Sequence, residues 1–462
     1  MTYTDIITKL SGIVWGPYLI VLLIGTGVLF TIRTGFIQFT KFGLVARMTI
    51  KNFTKKQDGK GEGEISSIQA LFTALASTVG IGSIAGVATA IAIGGPGAML
   101  WMWISALVGM ATKFSEITLA MNHREKDEAG IVRGGAMYIW KNALKKPFIG
   151  AFFAAGIVFV AYVNCNMVQV NTAAQALQEY GVPTIVTGVI LAAITALVVF
   201  GGIKRLGKVS EVLVLVTKGL YILCALAILI VNIPEIPAAL ALIVKSAFGG
   251  QQAVGGFAGA SVAAAVRYGV ARGVFSNEAG CGTAPIAHAA AKVKHPVEQG
   301  LYGIMEVFLT TFVVGTCTAL AIVITGAWQS GKDGAVLTAT AFGHVFGPIG
   351  NIIVTLSVVL FAYATLLGWS WYGETAASYL FGKKVIIPYR ILWVAFVIVG
   401  AISSLKALWL TADFGLGLIV LANVVALLLM NGEVARLTNE FFSGNLVGIP
   451  QTKGKEVKFQ EH

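Results

Sequence analysis

The sequence predicts an all-α polytopic membrane protein, with about eleven spanning helices arranged as two inverted five-helix repeats behind one extra helix. Three observations predict it. Of 462 residues, 56% are hydrophobic and 12% charged, with a mean hydropathy of +0.82, whereas soluble proteins carry about 25% charged residues. Eleven apolar stretches reach the length of about 20 residues that a bilayer crossing takes. Two glycine strings, Val79-Gly80-Ile81-Gly82-Ser83 and Ala279-Gly280-Cys281-Gly282-Thr283, interrupt two of those stretches at matching places.

The stretches are 14–32, 68–93, 98–121, 148–177, 182–201, 209–233, 262–291, 301–328, 349–380, 386–405 and 408–430. The first lacks a basic leader and a small-residue cleavage site, so it reads as a retained helix rather than a signal peptide. After it, Phe36, Phe39, Phe42 and Met48 alternate with Lys41, Arg47 and Lys51, the pattern of an amphipathic helix lying on lipid. The expected organisation is the extra helix and this amphipathic helix in 1–65, a first repeat in 66–233, an extracellular connection in 234–261, a second repeat in 262–430 and a cytoplasmic tail in 431–462. Five crossings are an odd number, so the second repeat enters the membrane upside down.

The net charge of +12 is a topology signal, not a nucleic-acid footprint. Lys and Arg gather in alternate loops: 33–60, 124–146, Lys204-Arg205 with Lys208, Lys292 with Lys294, Lys383-Lys384 with Arg390, and 436–458. The other faces carry isolated bases such as Lys9, Lys245, Lys332 and Lys406. By the positive-inside rule the N-terminus lies outside the plasma membrane and the C-terminus in the cytoplasm. Cys165, Cys224, Cys281 and Cys317 all fall in apolar stretches, which argues against a disulfide framework or a metal-binding CxxC pair. No HExxH, GxSxG or GxxxxGK[ST] string occurs, which argues against an enzyme or an ATP-driven pump. A channel filter repeats one pore loop around an axis, and the two glycine strings differ in their polar residues.

Glycine weakens a helix by about 1 kcal/mol relative to alanine, and lipid cannot solvate the backbone groups a break releases. A break therefore survives against protein or a watery cavity. Gly82 and Gly86 form a GxxxG pattern that could serve close helix packing alone. Polar company favours a site: Ser77, Thr78 and Ser83 surround the first break, and Ser276, Asn277, Glu278 and Thr283 the second. Amides exposed at a break attract a carboxylate, and exposed carbonyls suit a hard cation such as sodium. One site can hold both.

Further candidates lie near these strings. Tyr162, Asn166 and Gln169 are spaced by seven and three, which places them on one helical face; they line a cavity or act as hydrogen-bonding glue between helices. Asn277 can both donate and accept to a zwitterion, or cap a helix end. Arg272 and Glu278 are charges inside a span and so candidates for gating or ion coupling. Lys113 and Glu116 are spaced for an i,i+3 pair, and Trp101 and Trp103 suit an interfacial aromatic belt.

The run Gly94-Gly95-Pro96-Gly97-Ala98-Met99-Leu100-Trp101-Met102-Trp103, followed by Gly109, Thr112-Lys113-Phe114 and Glu116, closely resembles the signature of the alanine or glycine:cation symporters. Asn166-Met167-Val168-Gln169 and Phe275-Ser276-Asn277-Glu278-Ala279-Gly280 resemble further blocks of that family. The resemblance runs over essentially the whole chain. It implies the leucine-transporter fold of ten helices in two inverted repeats, and import of alanine and glycine driven by sodium through alternating access, with a proton as the alternative coupling ion. It implies a sodium site at the Ala76, Val79 and Ala362 carbonyls and the Thr365 hydroxyl. Leu366 stands where that pattern has a second hydroxyl, and Ser83 where it has an asparagine. The implied substrate site comprises Thr78, Val79, Gly80, Ile81, Gly82, Ser83, Asn166, Gln169, Phe275, Ser276, Asn277 and Trp369. Trp369 shares the face of Thr365, whereas Trp371 does not. The implied partners are the small amino acid, sodium and the lipid bilayer, with no other cofactor and no nucleic acid.

Overall fold

The computed structural model describes residues 3–55, 61–128, 130–249, 262–403 and 405–444. Among them the chain is helical except for turns, one short hairpin, Glu125–Lys126 paired antiparallel with Val132–Arg133, and two isolated bridges, Glu62 with Val293 and Ile65 with Ala291. Among the described residues seven helices are long and apolar enough to cross a membrane, or eight if the bent pair Phe414–Leu429 and Asn431–Ser443 forms one span. The predicted eleven stretches all fall on helix, but 68–93 and 262–291 are broken at the glycine strings, and 182–201 forms a helix of only 16 residues.

In chain order, α1 (Tyr3–Val14) and α2 (Pro17–Arg33) open the molecule, and a turn at Gly35 and Phe36 with positive φ ends α2. A single helical turn, Ile37–Thr40, leads to α3 (Phe42–Lys55). The sequence predicts a helix on lipid here; Phe36, Phe39, Leu44 and Ile50 are exposed, while other residues of the region meet protein. The Phe42 ring meets Phe308 at 4.8 Å and Asn52 Nδ2 donates to the Tyr302 hydroxyl at 2.7 Å, so α3 lies against protein. Amphipathic spacing alone does not distinguish those two partners for an apolar stripe.

The first broken helix is α4 (Ser67–Thr78) and α5 (Ala85–Gly94), joined by a 3₁₀ turn at Ile81–Ser83. Its start is set by a capping box: Ser66 Oγ accepts from the Gln69 amide, and Gln69 Oε1 accepts from the Ser66 amide. Then come α6 (Ala98–Asn122), and α7 (Pro147–Val160) continuing through a π-helical segment, Ala161–Val168, into α8 (Gln169–Gln178). Next are α9 (Thr184–Val199), α10 (Gly202–Val231) and α11 (Ile236–Phe248). The second broken helix is α12 (Val262–Asn277) and α13 (Ala284–His288). It is followed by α14 (Pro296–Val307), a π-helical segment at Phe308–Gly315, α15 (Thr316–Ile324) and α16 (Gly334–Phe346). The chain ends in α17 (Pro348–Phe381), α18 (Ile386–Ile402), α19 (Leu405–Leu429) and α20 (Asn431–Ser443). Proline stands in the first turn of α2, α7, α14 and α17, where its missing N–H costs nothing. Of the predicted connection and tail, 250–261 and 445–462 lie outside the described residues.

Packing places segments of the two predicted halves on one another: α5 on α12, α6 on α14, α8 on α17 and α9 on α18. The most apolar window of α6 is 83% buried, against 28% for the span Lys383–Ile402, so α6 runs through the centre and α18 along the rim. One end of the bundle is tied by ion pairs. Fully buried Arg133 meets Asp127 at 2.6 Å and Glu374 at 3.3 Å, and Arg390 bonds the same Glu374 at 2.7 and 3.1 Å.

Candidate functional site

Helix α4 stops at Thr78. The Val79 amide still bonds the Leu75 carbonyl at 3.0 Å, but the Gly80 amide turns back to Thr78 at 2.9 Å and leaves Ala76, its helical partner, without it. The Thr365 hydroxyl on α17 donates to that Ala76 carbonyl at 3.4 Å. A side chain at Gly80 would collide with Thr365 Oγ1, so only glycine lets α17 approach the break this closely. The amides of Ile81 and Gly82 open the 3₁₀ turn, a position with no partner earlier in its own helix.

The second break is held differently. Glu278 (φ 53), Gly280 (φ 92) and Gly282 (φ 73) all take left-handed backbone between α12 and α13. Asn277 is committed at both ends: its Oδ1 accepts from the Ala279 amide at 3.0 Å, and its Nδ2 donates to Thr311 Oγ1 at 3.1 Å. Thr283 donates to the Glu278 carboxylate. The two breaks meet where Ser83 Oγ lies 3.0 Å from Ser276 Oγ, and the Phe275 ring packs against Gly82.

Between them lies a cavity of about 30 Å³. Of the residues singled out from sequence, Thr78, Gly80, Ile81, Gly82, Gln169, Phe275, Glu278, Thr365 and Trp369 line it. Ser77, named from sequence as polar company of the first break, lines it too, and Asn164, Cys165 and Leu416, which sequence reasoning missed, complete the wall. Gln169 Oε1 and Asn164 Oδ1 are buried with no hydrogen-bond partner, while Gln169 Nε2 donates to the Asn164 carbonyl at 3.4 Å. Orphaned acceptors in a buried wall are costly unless something uses them.

Val79, Ser83, Ser276, Asn166, Asn277, Ala76 and Ala362 do not line the cavity. Ala362 is buried one turn before Thr365. For Asn166 the expected shared face with Gln169 is corrected: its Nδ2 donates to the Trp393 carbonyl at 2.9 Å, and the Tyr162 hydroxyl donates to the Tyr389 carbonyl at 3.0 Å, both on α18. The reason is the π-helical turn at Ala161–Val168, which widens the spiral and puts Asn164, not Asn166, beside Gln169. Of the two roles expected for Asn277, its bonds to the Ala279 amide and Thr311 are those of a cap rather than of a free amide facing the cavity. Arg272 stands apart from the cavity, its guanidinium 5.6 Å from the Phe275 ring.

The pair Lys113 and Glu116 also differs from expectation. Lys113 does not pair with Glu116; it meets Glu306 Oε1 at 3.6 Å and the Glu278 carbonyl at 3.0 Å, and Glu116 accepts from the Gly282 amide at 3.0 Å. Trp103 donates to Thr316 Oγ1 at 2.9 Å and Trp101 to the Ala247 carbonyl at 3.4 Å, so both indoles bind protein. Trp371 faces away from the cavity, donating to the Ile286 carbonyl at 3.3 Å.

The family model described as the sodium:alanine symporter family matches residues 1–454. The chain belongs to that family. This symporter is 44% identical over 453 residues to the sodium/alanine symporter AgcS of Methanococcus maripaludis, covering 96% of this chain and 98% of that one. It is 42% identical over 458 residues to the uncharacterized transporter YflA of Bacillus subtilis, covering 98% and 97%. Its fold is similar to that of a histidine-to-alanine mutant of the Eremococcus coleocola manganese transporter, with TM-score 0.52 over 87% of this chain and 93% of that one, at 12% identity. The symporter is thus a multi-pass membrane transporter of the amino-acid symport class.

Proposed function

We propose that this symporter imports alanine, with glycine as a second substrate, coupled to sodium by alternating access. The observation that carries the reading is the cavity at the first break, lined by Ile81 and Gly82, whose amides open the 3₁₀ turn, and by Gln169 and Asn164 with their orphaned acceptors Oε1 and Oδ1. Backbone amides on one wall suit a carboxylate, and two amide oxygens on the other suit an ammonium group. Phe275 and Trp369 close the wall around a small space, which favours the smallest side chains. The sodium ion takes the Ala76 and Val79 carbonyls with the Ala362 carbonyl and the Thr365 hydroxyl; the 3.4 Å approach of Thr365 to Ala76 supports this.

The 5+5 inverted repeat is the architecture we infer for the motion. It is supported by the two breaks and by the packing of α5 on α12, α6 on α14, α8 on α17 and α9 on α18. In this reading the N-terminus is outside and the C-terminus cytoplasmic. A proton as coupling ion is the second reading, favoured by Glu278, a buried carboxylate in the cavity wall. Uptake of radiolabelled alanine into proteoliposomes separates the two. Accumulation that follows an imposed sodium gradient at constant pH supports sodium, and accumulation that follows only a pH gradient overturns it.

A further inference from the structure

Two charges one turn apart on α6 meet opposite ends of the second break. The buried Lys113 ammonium donates to the Glu278 carbonyl at 3.0 Å, where the chain leaves α12. The buried Glu116 carboxylate accepts from the Gly282 amide at 3.0 Å and from Asn423 Nδ2 at 2.6 Å, and that same Asn423 nitrogen reaches the Gly280 carbonyl at 2.9 Å. Positive φ at Gly280 and Gly282 turns the backbone into a concave cradle for a negative group. The fit is close, because a Cβ at Gly282 would lie 2.5 Å from Asn423 Oδ1.

Lys113 is neutralised by Glu306 at 3.6 Å, whose other oxygen meets His288 Nε2 at 3.1 Å. Among the described residues Glu116 makes no ion pair; the Gly282 amide and Asn423 give it hydrogen bonds, the Lys113 charge one turn away attracts it from farther off, and its Oε2 has no hydrogen-bond partner. Two further amides of this break bond within it, Ala279 N to Asn277 Oδ1 and Cys281 N to the Glu278 carbonyl. The first break contrasts with it. Among the described residues no charged side chain bonds the backbone there; Thr365, Thr318 and Thr338 supply hydroxyls to the carbonyls of Ala76, Ser83 and Ile84.

A broken helix offers carbonyls to a cation and amides to an anion, the two charges that a free amino acid carries. We propose that Lys113 and Glu116 serve as a built-in zwitterion that fills the second break and reserves the first for the transported amino acid. The consequence for substrate placement rests on the amino-acid symport reading, whereas the filling of the break does not. Glu116 is a positioning residue: it holds the wall that carries Phe275 and Glu278 and keeps a substrate carboxylate from docking there.

The test is chemical rescue in the purified full-length protein, read by thermal unfolding and by alanine binding at saturating sodium. Glu116→Ala is expected to lose about tenfold or more in alanine affinity. Sodium formate, whose carboxylate fits the emptied cradle, is expected to raise its melting temperature and restore binding to within about threefold of the parent, and sodium chloride is not. Formate and chloride acting alike would overturn the proposal. The double variant Lys113→Glu with Glu116→Lys is expected to stay defective, because it sets each charge against the wrong end of the break; parent-like alanine binding would show a mutual pair instead. Should Glu116→Ala not fold, Glu116→Gln keeps an acceptor without the charge, and parent-like affinity in that variant counts against the proposal. A parent that binds no alanine would refute the symport reading, while the formate-dependent shift in melting would still report on the break.

Discussion

Thr365 and Gln169 both line the cavity, one from α17 and the other from the start of α8. The Thr365 hydroxyl reaches the Ala76 carbonyl that the first break frees, at 3.4 Å. Thr365→Ala is therefore expected to raise the sodium concentration for half-maximal alanine uptake, and Thr365→Ser to restore it; an unchanged sodium dependence in the alanine variant would move the ion elsewhere. Gln169→Ala removes an acceptor facing the proposed ammonium, a hydrogen bond to charge worth about 1.5 to 3 kcal/mol, so alanine affinity should fall roughly ten- to a hundredfold. Asn277→Ala should act first on stability, because it strands the Ala279 amide and Thr311; a lower melting temperature is the reading, and an unchanged one would argue that the cap is dispensable. Gln169 was legible because an amide in an apolar stretch needs a reason. Asn164 was hidden, because an α-helical wheel puts Asn166 there instead.

At the scale of elements, both breaks were visible in the glycine strings, and so were their polar neighbours. What the strings could not show is that the two breaks differ in use. Charged partners for the second come from Lys113 and Glu116, which sequence spacing assigns to each other, since i,i+3 neighbours on a helix are the default pair while contacts to a distant turn are invisible in spacing. The GxxxG reading of Gly82 and Gly86 separates in the same way. A Cβ at Gly86 finds ordinary contact, 3.9 Å from Phe275, whereas one at Gly80 runs into Thr365 Oγ1. Gly86→Ala is expected to transport like the parent and Gly80→Ala to lose uptake at equal surface expression. Equal effects of the two would mean that α4 and α17 do not need their close approach.

For the whole molecule, composition and loop charge were sufficient to read a polytopic membrane protein, because the bilayer dictates both. Which helix takes the centre was not readable from hydropathy: α6 is less apolar than α18 yet far more buried, since its polar side chains bond the second break and α14 rather than facing lipid. The proposed sidedness predicts that a cysteine placed at Lys332 reacts with an impermeant maleimide in intact cells, and one placed at Lys383 only after permeabilisation. The reverse pattern would invert the topology. Cys165, Cys281 and Cys317 are buried, which keeps the background low.

The π-helical segment between α7 and α8 also bears on how the chain tolerates insertions and deletions. A π-turn holds more residues than an α-turn, so it is slack wound into the helix. A one-residue deletion within 161–168 can be taken up by tightening that turn, with both flanks left on their neighbours. The same deletion in the middle of α9, which has no surplus, swings every later side chain of that helix by about 100°. Chain length can thus drift beside Gln169, at the cavity wall, more easily than at the lipid-facing rim.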